Sequence, residues 1–242
     1  MEAMVTVFLA GLITALATGL GAVPFIFVRT MSAKAVAYSN AVAAGLMLGA
    51  SFTLAIEGIS FGAWQTIIGA NVGVAFILII QRIVPQSDNS FADMKGAGAR
   101  RALLLVIVMT AHSFAEGVAV GMSFGGGQSL AVLITIAIAI HNIPEGLAIS
   151  ATMRPGGASV ASCAWWSVVS SLPQPLMAVP AFLFVEIFTP VLPYGLGFAA
   201  GAMTFMVFEE LLPDSYQDAS GQTVGLIVSL SFTAMVAFQL II

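Results

Sequence analysis

Charge is scarce in this chain. Only 7% of its 242 residues are charged, with seven Lys+Arg and eleven Asp+Glu. A water-soluble domain carries about 25% charged residues because its surface faces solvent. A soluble enzyme, a nucleic-acid binder and a disordered chain are therefore excluded. Cysteine is nearly absent, and the single Cys163 rules out an intrachain disulfide and any thiolate cluster. No GxxxxGK[ST] phosphate loop occurs, so neither nucleotide binding nor ATP hydrolysis is expected. The first apolar run has no basic stretch ahead of it, which argues against a cleaved signal peptide. Apolar residues, by contrast, make up 60% of the chain, and the mean hydropathy is +1.06.

This composition predicts an all-α polytopic membrane protein, with residues 1–242 forming a single transmembrane domain. A spanning helix needs about 20 predominantly apolar residues. Runs of that kind at 4–28, 36–57, 62–81, 102–124, 128–152, 160–187, 191–212 and 222–242 predict eight spans. The runs are continuously apolar, without the alternation of barrel strands. Turn residues mark the junctions: Gly125-Gly126-Gly127, Pro155-Gly156-Gly157, Thr189-Pro190 and Pro213 to Gly221. The longest loop, 85–101, holds Asp88, Asp93, Lys95, Arg100 and Arg101.

The basic residues give the orientation. Arg29 and Lys34 follow span one, Arg82, Lys95, Arg100 and Arg101 lie between spans three and four, and Arg154 follows span five. All seven fall on one side of the eight-span arrangement. The positive-inside rule makes that side cytoplasmic and puts both termini outside.

Two internal repeats are visible. Ala43-Ala44-Gly45-Leu46-Met47 recurs as Ala199-Ala200-Gly201-Ala202-Met203, and Ala22-Val23-Pro24 recurs at the same spacing as Ala178-Val179-Pro180. Spans one and two thus resemble spans six and seven with opposite direction, an inverted repeat of the transporter kind. The second repeat is sharper. His112-Ser113-Phe114-Ala115-Glu116-Gly117 in span four resembles His141-Asn142-Ile143-Pro144-Glu145-Gly146 in span five.

These motifs hold the only two histidines of the chain. Each has a Glu at i+4, which puts imidazole and carboxylate on one helix face a turn apart. A charged side chain at mid-membrane costs about 2.5–3.5 kcal/mol, so both glutamates should face the bundle interior or a water-filled path. Two neutral imidazoles and two carboxylates balance a divalent cation and supply four ligands, a set suited to zinc and nearly as well to Fe(II), Mn(II) or Co(II). Read blandly, each pair is an interhelical clamp, and Gly117 and Gly146 allow the close approach that a clamp needs. Pro144 removes an N–H that would bond the Ile140 carbonyl and is expected to kink span five. Pro173-Gln174-Pro175 and Pro180 predict a broken span six lining a cavity. Glu209 and Glu210, at the end of span seven, are placed to attract cations along a pathway.

The motifs at 112–120 and 141–150 resemble helices four and five of the ZIP (Zrt/Irt-like) metal transporters. His141-Asn142-Ile143-Pro144-Glu145-Gly146 matches the HNxPEG signature at each fixed position. Ala44-Gly45-Leu46-Met47, the Pro-x-Pro of span six and the eight-span plan extend the resemblance over most of the chain. It implies uptake of zinc, or of Fe2+, Mn2+ or Cd2+, toward the cytoplasm as transported substrate, with no separate cofactor. It also implies a 3+2+3 inverted-repeat bundle, elevator-type alternating access and a homodimer in a lipid bilayer, here a bacterial cytoplasmic membrane. By resemblance the metal ligands map onto His112, Glu116, His141 and Glu145, with Met47 as a further contact. A second, adjacent site maps onto Ser113, Glu116, Asn142, Glu145 and Gln174. Ser113 departs from the usual Asn, Gln174 stands where many relatives have Glu, and the 85–101 loop lacks histidine. One main ion with a transient neighbour is therefore expected. The alternative is a zinc-dependent intramembrane hydrolase using a metal-bound water. HExxH is absent, however, and using all four residues as ligands leaves no general base.

Overall fold

The structure is a computed structural model that describes residues 2–83, 91, 94 and 97–241. The helices are α1 (Glu2–Gly19), α2 (Ala33–Ile83), α3 (Ala97–Gly125), α4 (Gln128–Met153), α5 (Val160–Ser171), α6 (Pro173–Ile187), α7 (Leu192–Met206), α8 (Leu212–Asp218) and α9 (Gly221–Ile241). Among the described residues no sheet forms, and the one antiparallel pairing joins Phe91 and Met94. Seven helical stretches are long and apolar enough to cross a membrane. Large apolar side chains also cover the outside: Ile13, Trp64, Leu176, Ile187 and Leu230 are exposed. A surface of this kind is stable against lipid and not against water, as expected of a multi-pass membrane protein.

The apolar runs and the helices coincide closely, with three differences. The first lies in α2, where two runs expected as separate spans form one helical stretch interrupted only at Gly62, whose backbone is extended (φ 172°, ψ 105°). Residues 48–55 and 70–74 line one cavity. In a straight helix Phe52 and Ala70 would lie about 27 Å apart, so the chain folds back at Gly62. Thr66 Oγ1 donates to the Gly62 carbonyl at 2.8 Å and ties off the bend.

The second difference is in the proline-rich segment. The break falls at Leu172, between α5 and α6, where Pro173 starts a new helix; Pro180 sits inside α6 without ending it. In α4, Pro144 also sits inside a helix that runs from Gln128 to Met153, which is compatible with the kink expected there. The third is at the end of span seven, where a π-helical turn, Val207–Leu211, carries Glu209 and Glu210 and leads into α8. Asp88, Asp93 and Lys95 of the 85–101 loop lie outside the described residues, and Arg100 and Arg101, expected in that loop, belong to the start of α3.

The two motif glycines seat α3 and α4 against other helices, not against each other. A Cβ on Gly146 would overlap the Thr18 carbonyl of α1. A Cβ on Gly117 would come within 2.7 Å of the Gln174 carbonyl of α6. Thr18 and Gln174 are separated by the same spacing as Ala43 and Ala199. So α1 packs on α4 as α6 packs on α3, and the contacts follow the sequence repeat.

Candidate metal centre

Helical spacing assembles the centre from two helices. On α3, His112 and Glu116 are one turn apart, and on α4 His141 and Glu145 are as well. All four are buried, with Glu145 the most accessible at 2%. One ligand atom from each lies within 4.8 Å of the others. His141 Nε2 stands 2.6 Å from Glu116 Oε1, and His112 Nε2 stands 3.6 Å from Glu116 Oε1 and 3.4 Å from Glu145 Oε1.

The tautomer of His141 follows from its surroundings. Its Nδ1 is 3.0 Å from the Ala137 carbonyl, which can only accept, so Nδ1 carries hydrogen and donates. The Nε2 lone pair is thereby turned toward Glu116. A metal-ligating imidazole is commonly oriented by such a second hydrogen bond. At 2.6 Å the two atoms are at hydrogen-bond distance, and any proton held between them is one a metal ion displaces on binding.

His112 differs. Both of its ring nitrogens are buried without a hydrogen-bond partner, and so is Glu145 Oε1. His112 Nε2 and Glu145 Oε1 approach each other only to 3.4 Å, and a buried polar atom without a hydrogen bond costs about 1–3 kcal/mol. Two neutral imidazoles and two carboxylates sum to a charge of about −2, which a divalent cation neutralises while satisfying the orphaned atoms. Chemically, the arrangement can hold one ion of the zinc class.

A polar chain surrounds Glu116. Gln174 Nε2 donates to Glu116 Oε2 at 2.6 Å, Asn142 Nδ2 donates to Gln174 Oε1 at 3.2 Å, and Asn142 Nδ2 also donates to the Thr14 carbonyl at 2.9 Å. Asn142 and Gln174 thus sit beside the four-residue cluster. Ser113 is buried next to His112, and Met47 is fully buried within the apolar core on α2. Glu209 is exposed and lines an outer cavity with Glu210, Asp214 and Thr152.

Sequence reasoning passed over two participants. The Thr14 carbonyl is a main-chain acceptor and leaves no side-chain signal. Asn40 is buried on α2, its Oδ1 has no hydrogen-bond partner, and it lines a cavity with Met109, Ala148, Glu210, Asp214 and Asp218. Its signal was available: one amide in an otherwise apolar run. Glu210 borders both this deeper cavity and the outer one, which makes it the better-placed neighbour of the two glutamates.

The sequence model of the ZIP Zinc transporter family matches residues 85–236. A putative zinc transporter of Arabidopsis thaliana is 45% identical over 238 residues, which is 97% of this chain and 38% of the plant protein. The zinc transporter GufA of Myxococcus xanthus is 31% identical over 223 residues, or 86% of this chain and 87% of GufA. The zinc transporter ZIP11 of Homo sapiens is 34% identical over 163 residues, or 64% of this chain and 47% of ZIP11. The chain thus spans less than half of the plant and human proteins and most of the bacterial one. ZIP proteins are transporters and not enzymes, which removes the hydrolase alternative. With the family match covering both His–Glu motifs and the two helices that carry them, the chain belongs to the ZIP zinc transporter family.

Proposed function

We propose that this chain is a divalent-metal permease carrying Zn2+, and in competition Fe2+, Mn2+ or Cd2+, toward the cytoplasm. The ion is held midway by His112, Glu116, His141 and Glu145, with Met47 as a further contact. One observation carries the reading: four buried ligand atoms within 4.8 Å of one another, those of His112 and Glu145 without hydrogen-bond partners. A structural clamp would have satisfied these atoms among themselves.

In this reading the chain crosses the membrane eight times, α2 crossing twice through its bend at Gly62, and both termini are outside. The cavity below the centre supports the direction. Met109 lies one turn from His112 and Ala148 lies three residues past Glu145, and both line the cavity that reaches Glu210, Asp214 and Asp218. Its rim includes Val36, beside Lys34, and Thr152, close to Arg154, so it opens on the basic side, which is the cytoplasmic one. The acidic residues draw the cation from the centre toward the cytoplasm, with Glu209 next along the path.

Alternating access is of the elevator type. The polar chain from Thr14 through Asn142 and Gln174 to Glu116 ties α1, α4, α6 and α3 into one body around the ion. The two halves of α2, with α7 and α9, form the frame against which that body moves. The protein works as a homodimer in a bacterial cytoplasmic membrane.

Uptake into proteoliposomes is the test. Zn2+ accumulation is expected to disappear in Glu145→Ala and to persist in Glu186→Ala, which changes an exposed carboxylate on α6. Undiminished uptake in Glu145→Ala would contradict the assignment.

A further inference from the structure

The two oxygens of Glu116 face different chemistry. Oε1 faces His141 and His112, and Oε2 accepts from Gln174. Which end of the Gln174 amide meets the carboxylate is fixed from a distance. The Thr14 carbonyl can only accept, so the Asn142 atom 2.9 Å from it is the NH2. That same NH2 lies 3.2 Å from Gln174, so the Gln174 atom facing it is the oxygen. The remaining end of Gln174, its NH2, therefore points at Glu116 Oε2. No member of this chain can flip without setting two donors or two acceptors against each other. Asn142, Gln174 and Glu116 are all fully buried, so water cannot rescue a flipped arrangement.

A carboxylate that bridges two cations with one ion on each oxygen needs both oxygens as ligands. Here the second oxygen meets an amide N–H, which has no lone pair to offer a metal and presents the positive end of its dipole. We propose that the Gln174 amide takes the place of a second cation against Glu116 and limits the centre to one divalent ion. Asn142 and the Thr14 carbonyl act through Gln174 as positioning groups. The proposal rests on the metal-centre reading above and adds its stoichiometry. Changing Gln174 to glutamate sets two carboxylates face to face with no donor between them, and a second cation relieves their repulsion.

Protein purified in detergent, stripped with a chelator and equilibrated with Zn2+ tests this by metal content. Ions bound by a His112→Ala/Glu145→Ala variant are subtracted as background. The wild type is expected to hold one ion per chain at the centre and Gln174→Glu two. Zinc X-ray absorption on the wild type gives a second readout that needs no variant. It should lack the metal–metal distance of about 3.5–4 Å typical of paired ions. Two ions in the wild type, a metal–metal vector in its spectrum, or a folded Gln174→Glu protein that stays at one ion would overturn the inference while leaving the metal centre standing. No ion above background in the wild type would remove the centre and the inference together.

Discussion

At the scale of single residues, His141 shows how the centre is set. One ring nitrogen is committed to a main-chain carbonyl, which leaves the other free to bind a cation or share a proton. Metal and proton compete for the same lone pairs, so Zn2+ affinity is expected to fall as pH is lowered from neutral, since ligands must shed protons to coordinate. Chelator competition across that range measures it, and a pH-independent affinity would contradict the competition. Glycine at 146 is a steric requirement. A methyl group there would run into the Thr18 carbonyl, a backbone atom that cannot rotate away. Gly146→Ala should cost about 1–3 kcal/mol as overpacking, seen as a lower thermal midpoint in detergent. Gly225→Ala, inside α9 with open space at its Cβ, should not lower the midpoint, since alanine favours helix over glycine. The paired His and Glu were legible from sequence because i,i+4 spacing alone puts them on one face. The Thr14 carbonyl and the direction of the Gln174 amide were not legible, because both depend on how α1 and α6 dock.

At the scale of elements, continuous apolar runs located the helices, since lipid demands a fully bonded backbone. They put the joint in α2 between the runs 36–57 and 62–81, beside the observed break at Gly62, but could not show that helix continues to within a residue of it on either side. Nor could they separate Pro173, which starts a helix, from Pro144 and Pro180, which sit inside one. A proline is tolerated inside a helix where neighbouring groups satisfy the freed backbone, which depends on packing and not on the residue itself. The fold-back at Gly62 has a direct chemical test. A Cβ on Gly58 would lie 2.8 Å from Thr66 Oγ1, a proximity that suits a disulfide between cysteines at the two positions. In a Cys163→Ala background, Gly58→Cys/Thr66→Cys is expected to cross-link within one chain under mild oxidation. A straight helix would hold the two sites about 12 Å apart and would give no cross-link.

At the scale of the whole molecule, the segregation of Lys and Arg sets an expected orientation. The matched packing of α1 on α4 and α6 on α3 gives that orientation a two-fold frame. Single cysteines test it in the Cys163→Ala background. Ser32→Cys should react with an impermeant maleimide only from the cytoplasmic side, and Gln128→Cys only from outside. The reverse pattern would invert the protein and the direction of transport with it. The central claim is that the imidazoles of α3 and α4 and their carboxylates grip one ion in passage. Anomalous diffraction from crystals grown with Zn2+ tests it most directly. The account requires a peak among His112, Glu116, His141 and Glu145, about 2.0–2.2 Å from its ligand atoms. A zinc peak elsewhere in the bundle, with those four side chains uncoordinated, would contradict it.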